Sequence, residues 1–205
     1  IVTTTINHPT EATLKFAAMS DWHLIVVGDT KTPHEAYQAL PNITYLTPDD
    51  QEKICKPLSD AIGWRSIRRR NLGFLHAYRE GAQIVATVDD DNIPYENWGK
   101  EIFVGQDIEV DLYDDVNAFF DPISVTEHQE LWHRGFPLQL VAKRSPKLIG
   151  RQMIRCLVQA AFWDGDPDID AVCRITKQPT VKFKPFHPFS TKLLTPFNSQ
   201  NTFIH

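Results

Sequence analysis

Residues 83–94 read Gln-Ile-Val-Ala-Thr-Val-Asp-Asp-Asp-Asn-Ile-Pro, and this stretch decides the fold. Its first half, rich in β-branched residues, has the length and composition of a buried strand. It ends abruptly in Asp89, Asp90 and Asp91. Three like charges at a strand end repel one another, and a divalent cation would relieve them. Hard carboxylate oxygens suit Mg²⁺ or Mn²⁺, ions that also hold substrate phosphates. The stretch therefore predicts a metal–diphosphate site at the carboxyl edge of an α/β sheet. A solvated acidic turn is the plain alternative.

Working outward, strands and helices alternate. Ile1–Ile6 predicts a first strand, Pro9–Met19 a short helix capped by Thr10, His23–Val27 a second strand and Ile43–Leu46 a third. Thr47 caps a helix that opens on Pro48, Asp49 and Asp50. Ser66–Glu80 predicts a helix stopped by Gly81, and Ile84–Val88 is the strand that delivers the acids. This order implies a mostly parallel mixed sheet flanked by helices. The second half is less regular. Ile108–Leu112, Leu138–Val141 and Val181–Phe183 suggest strands. Leu148–Ala161 suggests a helix followed by a strand at Phe162-Trp163, and Asp168–Thr176 a further helix. One domain of residues 1–205 is expected, with a nucleotide-binding half (1–98) and an acceptor-side half (99–205).

The 205 residues are long enough for a sizeable core, and an apolar share of 42% is ordinary for a globular chain. A net charge of −5 argues against nucleic acid as a partner. No apolar run reaches membrane-spanning length. No signal-peptide pattern opens the chain, but it lacks an initiator Met, as a piece of something longer would. Cys55, Cys156 and Cys173 form no Cys-x-x-Cys pair, which disfavours zinc and suits reduced thiols and a cytoplasmic setting.

In open α/β sheets ligands bind beyond the carboxyl ends of the strands. Thr3, Thr4, Thr5 and Asp29 fall at that edge, where hydroxyls and a carboxylate could hold a base or ribose; β-propensity or a turn would also account for them. On the Ser66 helix, Ile67, Phe74 and Tyr78 form an apolar stripe with Asn71 on it and Arg70 at its edge. Arg70 and Asn71 could reach a diphosphate, or Arg70 could snorkel and Asn71 bond to backbone. Arg65, Arg68 and Arg69 read as a solvated basic face.

Asp166, Asp168 and Asp170 alternate in a way that suggests calcium, yet Ile169 and Ile175 stand where an EF-hand needs Gly and Glu. A helix cap at Asp166 or Asp168 is one role; a general base toward an acceptor hydroxyl is the other. Arg134, between aromatics and beside Gly135 and Pro137, could present a guanidinium to a phosphate or sugar. His187 and His205 could each add a nitrogen ligand to the metal.

Together these pieces resemble the GT-A (Rossmann-like) nucleotide-sugar glycosyltransferases, especially the STELLO-type proteins and the reversibly glycosylated polypeptides that include UDP-arabinopyranose mutases. The resemblance rests on Val2–Ile6, Val26–Asp29, Arg69–Gly73, Thr87–Asn92 (similar to the DxD signature), Arg134–Pro137, Phe162-Trp163 with Pro167–Ala171, and Pro196–Thr202. It implies a UDP-sugar donor, a carbohydrate or glycoconjugate acceptor, and Mn²⁺ or Mg²⁺ held by Asp89 and Asp91, with Asp90 nearer the sugar or ribose. In the mutase group the arginine matching Arg134 carries the sugar and a second arginine follows. Val141 stands in that second place, which favours transfer to an acceptor over mutase activity. STELLO-type proteins sit in the Golgi behind an anchor, so a Golgi lumen setting follows if an anchor precedes this chain. The rivals are a UDP-arabinopyranose mutase, a non-catalytic sugar-nucleotide-binding domain, and a haloacid-dehalogenase-type phosphatase. Ile93 fits the last poorly, because Thr or Val is usual there.

Overall fold

In the computed structural model, which describes residues 1–205, the chain divides into two compact units. The first holds residues 1–102 and 202–205, the second residues 103–201. The fold is α/β, with a mixed, mostly parallel sheet and flanking helices.

In the first unit β1 (Val2–Thr5), β2 (Leu24–Gly28) and β3 (Ile43–Leu46) pair in parallel, as do β1 and β4 (Val85–Val88). Their order is β3-β2-β1-β4, with the end of the chain joining beside β4. β2 is buried along its whole length, as a central parallel strand covered on both faces must be. The connecting helices are α1 (Glu11–Ala17), α2 (His34–Gln38), α3 (Pro48–Ile62) and α4 (Arg70–Arg79). Thr10 caps α1 by accepting from the Thr13 amide. Thr47 and Asp50 form a reciprocal capping box on α3. That helix breaks at Cys55, two residues before Pro57, whose ring cannot share the α conformation with its predecessors. Val2, Ile25, Val27, Leu46 and Ala77 form the core.

α4 forms where the sequence predicts it, preceded by a 3₁₀ turn at Ile67–Arg69, but it buries another face. Ile67 and Tyr78 are exposed and so is Asn71, while Arg69, Arg70, Gly73 and Ala77 are buried. The reason is close packing. A Cβ on Gly73 would stand 2.5 Å from Val2 Cγ1 and 2.7 Å from Val27 Cγ2, so the helix rests on the sheet at its glycine. Arg69 is fully buried rather than solvated. Its guanidinium donates to Gln51 Oε1 (2.8 Å) and to Ser59 Oγ (2.9 Å), and it lies over the Trp64 ring at 3.7 Å.

The second unit contains β5 (Asp107–Asp114), antiparallel to β6 (Lys147–Arg155) and parallel to β8 (Phe189–Thr191), with β7 (Val158–Ala160) and α5 (Ala171–Lys177) between β6 and β8 in the chain; β9 (Asn201–Ile204) begins at the last residue of this unit. Residue Thr202 returns β9 to the first unit. Four expectations are corrected here. Leu148–Ala161 is two strands, not a helix, because β6 finds an eight-residue partner in β5. Its register slips between Leu112 and Tyr113, a bulge that leaves Ile149 unpaired beside Gly150 at φ 145°. Phe162-Trp163 lies outside any strand. Leu138–Val141 sits in a 3₁₀ helix (Leu138–Lys143). Val181 makes a single bridge to Gly165 rather than a strand. The core here is Ile123, Leu131, Trp132, Ile169, Cys173 and Val181.

Candidate functional site

The carboxyl ends of β1 and β2 open on a cavity of about 270 Å³. Thr5, Asp29, Lys31, Arg65, Ser66 and Asp90 line it. It lies where a parallel sheet offers a crevice.

The acid run is held by specific partners. Thr5 Oγ1 donates to Asp90 Oδ2, Asn7 Nδ2 donates to the same oxygen at 3.1 Å, and Thr10 Oγ1 donates to the Asp90 carbonyl. Arg70 donates to Asp89 Oδ1 at 2.6 Å and to Thr87 Oγ1 at 3.0 Å. Part of the repulsion among the three acids is thus offset by a buried guanidinium and by hydroxyls. Asp91 is exposed. Its carboxyl is nonetheless pushed above the usual carboxylate range, first by desolvation and then by the charges of Asp90 and Asp89, against a backbone hydrogen bond that lowers it. A carboxylate held up by like charges is one that a cation would stabilise. Hard carboxylate oxygens are the donor type that suits Mg²⁺ or Mn²⁺, but the structure gathers no group of three or more His, Cys, Asp or Glu side chains that could hold an ion without help from a ligand.

Asp29 is buried and fully engaged. Its Oδ2 accepts from the Arg65 amide (2.7 Å) and the Ser66 amide (3.3 Å), and its Oδ1 from the Thr30 amide (2.6 Å). It pins the 63–66 turn to the end of β2. Arg65 is held there in the left-handed region, φ 59°. This brings Arg65 to the cavity opposite Lys31, two cations that the sequence reading did not assign to a site. Lys31, two residues past Asp29, carried the available signal.

The remaining first-unit candidates fall as follows. Thr4 Oγ1 donates to the Val27 carbonyl (2.8 Å) and lines the cavity. The Thr3 hydroxyl is buried without a partner, and the residue is absent from the cavity wall. Asn71, exposed on α4, does not line the cavity either. His205 is exposed immediately after β9.

In the second unit Arg134 Nε contacts Asp168 Oδ1 at 2.8 Å, and the Arg134 amide donates to the Asp168 carbonyl at 3.0 Å. Asp166 pairs with Arg174. Asp170, rather than Asp166 or Asp168, caps α5 by accepting from the Val172 amide at 2.8 Å. His187 Nδ1 donates to the Pro188 carbonyl (3.1 Å). The reading missed Asp121, which is fully buried and paired with Arg144 at 2.6 Å. Its N-cap position ahead of Pro122 was the visible clue.

No protein-family model matches the chain. Two curated proteins of Arabidopsis thaliana align with all of it: the probable glycosyltransferases STELLO2, 25% identical, and STELLO1, 24% identical. The chain spans 29% of the length of each. The resemblance carried by the short motifs thus extends from end to end: the whole chain is similar in sequence to a part of the two STELLO proteins.

Proposed function

We propose that the chain transfers a sugar from a nucleotide-sugar donor, a UDP-sugar, to a carbohydrate or glycoconjugate acceptor in a metal-dependent reaction. The observation that carries this reading is the cavity at the ends of β1 and β2, which sets Asp90 and two cations, Lys31 and Arg65, beside the acid run. Cations and an acid-bound metal together suit a diphosphate. The names of the two relatives support glycosyl transfer.

Asp89 and Asp91 would hold Mn²⁺ or Mg²⁺, which supplies charge neutralisation to the departing diphosphate. Lys31 and Arg65 attract the same phosphates. Thr5 and Asn7 fix the Asp90 carboxylate, so that it meets a sugar or ribose hydroxyl without reorganising. Asp29 acts by positioning the Arg65 turn.

Calorimetry with UDP and Mn²⁺ tests the reading. Wild type should bind UDP only with the metal present, and Asp91→Asn should lose that dependence together with sugar release from the donor. Equal metal-dependent binding by both proteins would overturn it.

A further inference from the structure

The second unit encloses a larger cavity, of about 390 Å³, that the acid edge does not use. Phe120, Phe162, Phe186 and Phe189 form its wall, with ring centroids 5.6 Å apart for Phe162–Phe186 and for Phe186–Phe189, and 6.2 Å for Phe120–Phe189. No Asp, Glu, Lys or Arg lines it. An ion would give up water against this wall without meeting a countercharge, so the lining favours a neutral occupant.

Polar groups on the wall are mostly committed to the protein. Gln159 Oε1 accepts from the Phe103 amide (2.8 Å), Asn198 Nδ2 donates to the Ala161 carbonyl (2.9 Å), and Cys156 Sγ donates to the Val158 carbonyl (3.6 Å). His133 differs. It lines the cavity at 2% exposure, and its Nδ1 stands 2.6 Å from the Arg134 carbonyl. A carbonyl can only accept, so Nδ1 carries the proton. In the neutral ring Nε2 is then a hydrogen-bond acceptor, and no protein donor meets it. An acceptor with no protein donor can take a hydrogen bond from a ligand hydroxyl in the cavity that His133 lines.

We propose that this cavity binds a small neutral apolar alcohol, its carbon skeleton packed among the phenylalanines and its hydroxyl donating to Nε2 of His133. At ~30 Å³ per water-sized group, the volume admits about ten to thirteen carbon and oxygen atoms. Such a site has the make-up of a small-molecule pocket, an apolar lining with a single orienting polar group. It is independent of the glycosyl-transfer reading, and the failure of either leaves the other standing.

The test uses the whole chain with three probes: 1-decanol, decyl methyl ether (which has no donor) and decanoate. Calorimetry and thermal shift should show decanol binding in preference to the ether, and decanoate weakest. His133→Phe should weaken decanol by about fivefold and leave the ether unchanged, as loss of one hydrogen bond requires. Ala161→Trp, which fills the cavity from its wall, should abolish both. Failure of decanol to bind wild type, or binding that survives Ala161→Trp, overturns the site. Equal weakening of decanol and ether by His133→Phe, or tighter binding of decanoate, overturns the hydroxyl contact.

Discussion

Two Arg–Asp pairs in this chain share a 2.6 Å contact and differ in everything around it. Arg144 also donates to the carbonyls of Leu131, Gln129 and Val141, and Asp121 also accepts from the amides of His133 and Ile123. That pair is a clamp that gathers loop backbone where regular structure is sparse. Arg70 and Asp89 meet at the end of a parallel strand, next to two further acids, one of which, Asp90, lines the cavity. The contact alone therefore does not mark a site. What distinguishes the second pair is the adjacent charge of Asp90 and Asp91.

If this contrast is right, breaking the clamp should have the largest effect on stability. Asp121→Ala leaves Arg144 buried and uncompensated, and should cost ~3–5 kcal/mol, read as a lower urea midpoint. Metal-dependent UDP binding at the first unit should persist in whatever fraction remains folded. Next comes Arg70→Met. Water reaches Asp89, whose side chain is 32% exposed, so the stability cost should be smaller, ~1–2 kcal/mol. Divalent-cation affinity should change markedly, which Asp121→Ala would not do. A cost for Arg70→Met as large as that for Asp121→Ala, with unaltered metal binding, would erase the distinction.

A surface carboxylate calibrates both. Hydrogen bonding from Thr47 holds the Asp50 carboxyl below the usual range, against some desolvation. Asp50→Ala should cost ~1 kcal/mol at neutral pH. Because the folded-state value is depressed, that contribution is complete above the ordinary Asp value of about 3.9 and disappears as pH falls through the folded value. Wild type and variant should converge in strong acid. The smallest effect is Asp91→Asn. The raised carboxyl makes the ionised form unfavourable in the fold, so the variant should be slightly more stable at pH 7. The difference should vanish as pH falls toward 3.9, where wild type also takes up its proton.

The same contrast explains what could be read from residues alone. In the first unit each strand and helix announces itself locally: Thr47 and Pro48 begin α3, Gly81 follows α4, and Val85–Val88 is a short run rich in β-branched residues. The acid edge was legible for that reason. The buried face of α4 was not, because it depends on Gln51, Ser59 and Trp64 receiving Arg69 and on Gly73 touching the sheet. Those partners are distant in sequence. In the second unit β6 carries Leu148, Ile149, Gln152 and Met153 at spacings that mimic a helix, and most of its residues are exposed. Only its antiparallel ladder with β5, some forty residues away at Asp111–Arg151, makes it a strand. The pairing of Asp121 was hidden for a related reason, since Arg144 lies 23 residues on.

Gly73 has one more consequence. It lies three positions after Arg70, less than one helical turn, so the two move as a rigid body. A single added methyl at position 73 would have to lift α4 from Val2 and Val27, and the lift would be delivered to the far tip of the Arg70 side chain. The placement of the Arg70 guanidinium beside Asp89 is then governed by van der Waals thickness on the same buried face of the helix, and the acid edge inherits its tolerance from a residue that has no side chain.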